Sequence, residues 1–467
     1  MVESKLSVRH FFRITLGLAL LGVVLLCVSG PDAQGKERKQ SLRKLSLHQA
    51  ISNALKRNLS LADAKLQVQK KEHARRAAYS DFFPTIELEY EAVADRYRQI
   101  GNIEEFYLQH DARWQFRGGT FLDYPYRIDP YRTFALSATL TQPVYSGGKL
   151  TAQYELARLG VDLAKIKQEI ARQDLLINVT QAYFQLLLAE KLLYVSDESI
   201  RALKGLRRQS EAMFDAHLVL RVDVLAINTR LAQEELQRSQ ALQDIENKRA
   251  LLSYLMRYPQ GIPFETTERL AFEPTGYEIP GIYSIVARNR LEIGAADISV
   301  REALATVKVD QASLLPEMYV EVSGSRTNDD WNPFDPEANN DWSMTGVLTW
   351  TFDMFRTRET VKEARVSHRR EMVLKRQVVE LVMREVKQAY ATVKRYERDV
   401  LHSRRAAAFS RENFRANKEL YNGQMATYLE IVTAQAQMTE TLREYYRSLV
   451  AHRMSKAVLE RKMGILR

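Results

Sequence analysis

The sequence predicts a mainly α-helical chain with membrane-type β-strands, built as two copies of one unit: long helix, strand, strand, long helix. Three observations carry the prediction. Helical periodicity runs over very long stretches. Pairs of alternating strands interrupt it at equivalent places. The same markers recur at a nearly fixed offset. With 467 residues but only 19 Gly and 12 Pro, the chain has few breakers, so long elements are expected.

The first residues read as a secretory signal. Lys5, Arg9 and Arg13 form a basic region, Ile14 to Val28 is apolar, and Ser29-Gly30-Pro31-Asp32-Ala33 offers small residues for cleavage. Residues 1–33 are therefore assigned to a signal peptide. A membrane anchor is the other reading, but the run is short for a span. Cys27 is the only cysteine, and the bulky Leu26 before it argues against lipid attachment there. Cleavage after Ala33 leaves a mature chain without thiol or disulfide chemistry. No later apolar run reaches the ~18 residues of a membrane helix.

From Leu45, the positions Leu47, Ala50, Ile51, Ala54 and Leu55 mark a helix face, continued by Leu61, Ala64, Leu66 and Val68. Pro84 stops the pattern. Ile86, Leu88 and Tyr90 then alternate with Glu87, Glu89 and Glu91, which is strand period. A polar, aromatic loop covers 96–132. Phe134, Leu136, Ala138 and Leu140 form a second strand, ended by Pro143 and Gly147-Gly148. Helical periodicity resumes at Lys149 and runs to about Tyr258. Residues 45–258 are the first repeat, and the proline-rich 259–283 a linker.

The second repeat, 284–465, has the same plan. Helix runs from Ile285 to Leu315 and ends at Pro316. Met318, Val320 and Val322 form one strand. Met344, Gly346, Leu348, Trp350 and Phe352 form the next, and helix follows from about Arg356. Asn58 and Arg290 stand at an offset of 232, as do Pro84 and Pro316; Asp223 and Glu430 stand at an offset of 207. The first copy thus carries about 25 more residues, mostly in its loop, where insertions are tolerated. The loop Asn328 to Trp342 is acidic and aromatic, a pattern that fits solvated surface, a cation contact or a lipid-interface belt.

These strands suit a membrane wall, which needs ~9–11 residues per strand, but a soluble antiparallel sheet alternates the same way. Four strands cannot close a membrane barrel, and open edges are not tolerated in lipid. Either the sheet is soluble or several chains pool their strands; three would supply twelve. The stretch from Lys149 to Ala216 is roughly 100 Å long as helix. No single globular core is that long, so such helices must pack side by side along their length. Many of their apolar positions are small, including Ala152, Ala157, Ala164, Ala364 and Ala389, which allows close approach as well as giving good helix propensity.

The net charge is +10. Lys and Arg alternate with acids, as in Arg395-Tyr396-Glu397-Arg398, so the charge reads as a solvated helix face rather than a nucleic-acid patch. No phosphate loop, zinc HExxH, nucleophile elbow or cysteine nucleophile is present, and there are only eight His. An enzyme is not expected, nor a cofactor or metal. A non-channel periplasmic coiled-coil adaptor or scaffold is the alternative. It accounts for the helices but not for the paired strands.

The motifs Asn58-Leu59-Ser60-Leu61, Gln142-Pro143-Val144-Tyr145-Ser146-Gly147-Gly148, His217 to Leu225, and Tyr421-Asn422-Gly423 through Gln435, in this order and duplicated, resemble the TolC-like outer-membrane efflux protein family. The resemblance covers about residues 45–465. It implies a homotrimer in outer-membrane lipid, with a twelve-stranded barrel continued by a periplasmic α-helical tunnel. It implies no catalytic chemistry. The implied role is the exit duct of a tripartite efflux or type I secretion system. The implied partners are a periplasmic adaptor (membrane fusion protein) and an inner-membrane transporter of the RND, ABC or MFS type.

Carried onto this chain, the adaptor-contact tips fall at Ala216, His217 and Leu218, and at Asn422, Gly423 and Gln424. The pore constriction falls at Glu430, with Asp223 its counterpart and Tyr421 an aromatic holding the closed tip. The chain departs from the family pattern at three places. His217 stands where glycine is usual, Gly423 is displaced by one residue, and Thr433 replaces a second acid. A ring of Glu430 would focus negative potential in a narrow throat. Alternatively, Asp223 and Glu430 serve only the dipoles of their helices. The transported substrate is not legible, because selectivity lies with the pump.

Overall fold

The computed structural model describes residues 43–95, 131–328, 331–332, 334–336, 338–353 and 355–466. The assigned signal peptide, with Cys27, and nearly all of the first loop lie outside the described residues.

Each repeat begins with a pair of helices, and in the first copy side chains cap both. Helix α1 (Leu47–Arg57) starts at Ser46, whose hydroxyl accepts from the Gln49 amide while the Gln49 side chain accepts from the Ser46 amide, both at 3.2 Å. Asn58 then caps α2 (Leu59–Ser80). Strands β2 (Thr85–Asp95) and β3 (Tyr131–Tyr145) lead into α3 (Lys149–Asp215), which turns into α4 (Arg221–Met256). The second repeat supplies α5 (Ile279–Asn289), α6 (Leu291–Ala312), β5 (Glu317–Asn328), β6 (Asn339–Thr349), α7 (Arg356–Asn422) and α8 (Tyr428–Met463). Among the described residues, the short strands β1 (Arg43–Leu45) and β4 (Phe264–Thr266) complete the set.

The duplication is carried through to helix length: 11 and 22 residues before the strands, 67 and 36 after them, in both copies. Helix α5 begins inside the segment read as linker. Its Pro280 sits in the first turn, where a missing N–H costs nothing, so proline there marks a helix start.

The four long strands form one antiparallel sheet in the order β2-β3-β5-β6. Its register sorts the faces. Ile86 lies opposite Leu140, Leu88 opposite Ala138, Val322 opposite Leu140 and Met344. Glu89 lies opposite Ser137, Thr139 opposite Ser323, and Ser323 opposite Ser343 on the other face. Ile86, Leu88, Met344 and Leu348 are largely exposed, so the described residues leave the apolar face uncovered. Gly147 ends β3 with φ +60, packed so closely on α6 that a Cβ would lie 2.8 Å from Leu315 Cβ.

Near the sheet the helices lie side by side in the order α2–α3–α6–α7; toward the far end the order is α4–α3–α8–α7. Val386, Val393, Val400 and Ala407 are buried at seven-residue spacing along α7, a coiled-coil seam against α8. Each buried valine contributes about 1.5–3 kcal/mol. Among the described residues, no helix is long and apolar enough to cross a membrane.

The segment joining the repeats is strapped across the helices by two carboxylates at equivalent places in the two copies. Glu190 of α3 accepts from the Thr266 amide (3.3 Å) and hydroxyl; Glu397 of α7 accepts from the Thr275 amide (2.7 Å) and hydroxyl. Burial pushes the Glu190 carboxyl up. Burial acts the same way on Glu397, but bonds from Lys394 and Thr275 outweigh it and hold that carboxyl down.

Candidate functional site at the helix tips

The predicted site residues gather where the two long hairpins turn. Both turns have the same backbone. After α3, the His217 amide donates to Phe214 O (2.9 Å) and the Leu218 amide to Met213 O (2.8 Å). After α7, the Gln424 amide donates to Tyr421 O (3.1 Å) and the Met425 amide to Leu420 O (2.8 Å). Each is a Schellman stop, which requires a left-handed residue. His217 and Gln424 fill that place, both with φ 60, while Gly423 has φ −83. Neither left-handed position carries glycine, which is the structural form of the departure seen in the sequence. Ala216, His217, Leu218, Asn422, Gly423 and Gln424 are all exposed.

The returning helices place the acids. Thr427 caps α8 in a reciprocal box. The Thr427 amide and hydroxyl donate to Glu430 Oε2 at 2.7 and 2.9 Å, and the Glu430 amide donates to Thr427 Oγ1 at 3.3 Å. These bonds, the backbone one foremost, hold the exposed Glu430 carboxyl below its usual range. Asp223 repeats half of the arrangement on α4, accepting from the Leu220 amide at 3.1 Å. Leu220 has no hydroxyl to complete it.

Tyr421 is buried. It packs with Ile200, Leu203 and Leu206 of α3, Ile227 of α4 and Ile431 of α8, so it joins the two hairpins from inside. Its hydroxyl has no partner among the described residues. Tyr428, which the sequence did not single out, stands beside Asp223 and Tyr421; burial and the Asp223 carboxylate push its hydroxyl pKa up. The first copy has Arg221 at that place, so the duplication gave no hint of it. Gln209 of α3 also ties the tips together, donating to Asn422 Oδ1 at 2.7 Å.

Behind the tips the hairpins meet through polar groups. Gln435 donates to Ser199 Oγ at 2.7 Å in a fully buried setting. Arg443 donates to the buried Glu234 at 2.7 Å, which also pairs with Arg230 at 3.1 Å. Nothing at the tips makes a nucleophile–base pair. The arrangement offers a charged and apolar rim on a polar-seamed helical wall.

A sequence model described as outer membrane efflux protein matches residues 50–256 and 282–449. No curated protein matches the sequence. Among solved structures, the chain is similar to the Campylobacter jejuni CmeC outer membrane channel, with 16% identity over 90% of this chain and 86% of that one and a TM-score of 0.74. It is similar to the outer membrane protein VceC from Vibrio cholerae, with 14% identity over 90% and 96% and a TM-score of 0.73. It is also similar to the open state of the Neisseria gonorrhoeae MtrE outer membrane channel, with 15% identity over 90% and 89% and a TM-score of 0.71. At these identities the likeness establishes a shared fold.

Proposed function

The chain belongs to the outer membrane efflux protein family, whose members are transport channels rather than enzymes, and from that premise we propose that it is the exit duct of a tripartite efflux or type I secretion system. It conducts substrates passively from a periplasmic adaptor and an inner-membrane RND, ABC or MFS pump to the exterior. It resides in the outer membrane with its helices on the periplasmic side.

The observation that carries this reading is that both layers end in open edges. Among the described residues, nothing pairs with the outer side of β2 or of β6. The flanking helices expose apolar side chains: Leu59 and Leu66 on α2, Leu236 and Tyr254 on α4, Val366, Val373 and Phe409 on α7. Lipid does not tolerate an open sheet, so further copies must close it. Three copies pool twelve strands, with the apolar face toward lipid and the Ser-, Thr- and Glu-bearing face toward a wet lumen. Trp331 and Trp342 at the loop end, and Trp350, Phe352 and Phe355 at the helix end, bracket the apolar face as interfacial girdles do. A non-channel scaffold leaves that exposed face without a purpose.

On the same reading the exposed tips, including Leu218 and Met425, dock the adaptor. Glu430 and Asp223 from three copies constrict the far end, held from within by Tyr421. Residues 1–33 direct export and are removed; residues 45–258 and 284–465 act as the two efflux repeats, joined by 259–283.

The test is fractionation followed by planar-bilayer recording. Heat-labile trimers in the outer membrane that insert with unit conductance steps are expected. A soluble periplasmic monomer would sink the proposal.

A further inference from the structure

We propose that β6 of one copy pairs antiparallel with β2 of the next in a register dictated by the internal duplication, with Leu348 opposite Tyr90 and Thr349 opposite Glu89. This rests on the self-assembly in the reading above, but not on the number of copies.

The two hairpins are congruent. Thr85 pairs with Thr141 in the first, Glu317 with Thr349 in the second. First strands therefore correspond at an offset of 232, second strands at 208. A side-chain anchor independent of the ladder obeys the same offsets. Gln142 Nε2 donates to Phe82 O at 3.1 Å, and Trp350 Nε1 donates to Leu314 O at 3.3 Å. Two different side chains thus make one bond at corresponding places.

Inside the chain, the second strand of one hairpin meets the first strand of the other at the β3–β5 seam, where Leu140 faces Val322 and Thr139 faces Ser323. The remaining junction of that kind is β6 with β2 of another copy. Moving the β3–β5 register by the two offsets sets Val347 opposite Glu91, Leu348 opposite Tyr90 and Thr349 opposite Glu89. Trp350 then falls opposite Leu88, Thr351 opposite Glu87 and Phe352 opposite Ile86.

Three features of the chain agree with this register. Apolar residues fall beside apolar ones, and each Glu falls beside Val or Thr, with no like charges opposed. A slip of one residue would set Glu87, Glu89 and Glu91 opposite the apolar-face residues of β6, whose side chains stand on the other side of the sheet. The shift in β3 between Pro143 and Tyr145 has no counterpart in the second copy, since the offset falls to 207 by the following helices, so pairing can continue unbroken through Phe352. Finally, β6 stops at Thr349 although β3 continues to Tyr145. Among the described residues, 350–352 have no partner strand, and Trp350 and Phe352 are 62% and 81% exposed.

Disulfide trapping tests the register. Residues opposite each other on antiparallel strands have Cα atoms ~4.5–5.5 Å apart, within disulfide reach, whereas diagonal neighbours lie at ~7–8 Å. Tyr90 and Leu348 sit on opposite edges of one sheet, so a bond between them joins two copies. Y90C/L348C and the lumen-facing pair E89C/T349C, oxidised in the outer membrane, should give dithiothreitol-sensitive oligomers. Their yield should be at least about fivefold above that of Y90C/G346C, Y90C/W350C and the single variants. A slipped pair trapping best, or no pair trapping while an amine crosslinker still captures wild-type oligomers, overturns the register and leaves assembly standing. Failure of the amine crosslinker to capture any wild-type oligomer overturns the assembly itself, and the register with it.

Discussion

Replacing His452 by isoleucine should stabilise the protein and remove a weakness toward acid. His452 lies on α8, fully buried, with its ring 5.1 Å from that of Phe272 in the segment joining the repeats. Neither ring nitrogen has a hydrogen-bond partner among the described residues. Burial holds the imidazole below its usual range; Glu397 of α7, Arg453 and Lys456 of α8, and Glu273 of the joining segment face it and adjust that value. The equivalent position in the first repeat, at the helix offset of 207, is the buried Ile245, so the substitution copies a solution the chain already uses. A buried polar group without a partner costs about 1–3 kcal/mol, and that is the expected gain at pH 7.5. An unfolding entropy of about 2.1 cal/mol/K per residue over Lys44–Arg467 turns it into a rise of ~1–3 °C in Tm. The pH dependence has a definite sign. The folded pKa lies below the unfolded value of ~6.5, so below that pH the unfolded chain binds the proton more readily. Wild type then loses up to about 1.4 kcal/mol per pH unit until the folded pKa is reached; His452→Ile lacks this contribution. Thermal unfolding in detergent at pH 7.5 and 5.5 should show the gap widening on acidification. Parallel pH slopes, or a variant that melts lower at both values, would refute the argument.

Glu430 combines a helix cap with a candidate constriction, and two substitutions separate them. Glu430→Gln keeps a side chain able to accept from the Thr427 amide but removes the charge. It should preserve the melting curve and reduce cation preference or cation block in planar bilayers, whereas Glu430→Ala loses both. Equal conductance in wild type and Gln variant would take Glu430 out of the gate. At the turns, His217→Gly and Gln424→Gly relieve left-handed strain of about 1–2 kcal/mol, less the flexibility cost of glycine of about 0.5–1 kcal/mol. Hydrogen exchange at the Leu218 and Met425 amides should slow about two- to fivefold, and unchanged exchange would contradict the strain argument.

The repeat was legible because its markers are local. Pro84 and Pro316 end helices, and the offsets of 232 and 207 between markers recur in the helix boundaries. The start of helix α5 was hidden because Pro280 signals both a linker and a first helical turn, and only packing of Ile282 and Val286 into the core decides between them. Trp350 and Phe352 fit the alternation of a strand, yet β6 ends before them, because a strand needs a neighbour and among the described residues β5 begins only at Glu317, opposite Thr349. At the tips, Thr427 and Glu430 carry a capping spacing that is visible in the sequence. The burial of Tyr421 is not, since it depends on Ile200, Leu203 and Leu206 of α3 and Ile227 of α4, which belong to the other half of the chain. The Ser199–Gln435 contact is silent for the same reason.

The equality of the paired helices, 67 residues with 67 and 36 with 36, makes the depth of the periplasmic part a dimension that is written twice. Inserting seven residues lengthens a helix by ~10 Å and keeps the seam of Val386, Val393, Val400 and Ala407 in phase. Added to α3 and α4 alone, it would drive one turn ~10 Å beyond the other and leave the mouth notched. Added to all four helices, it would give a longer tube with a level mouth. Any change in reach toward the inner membrane therefore has to be made in matched steps in both halves of the chain.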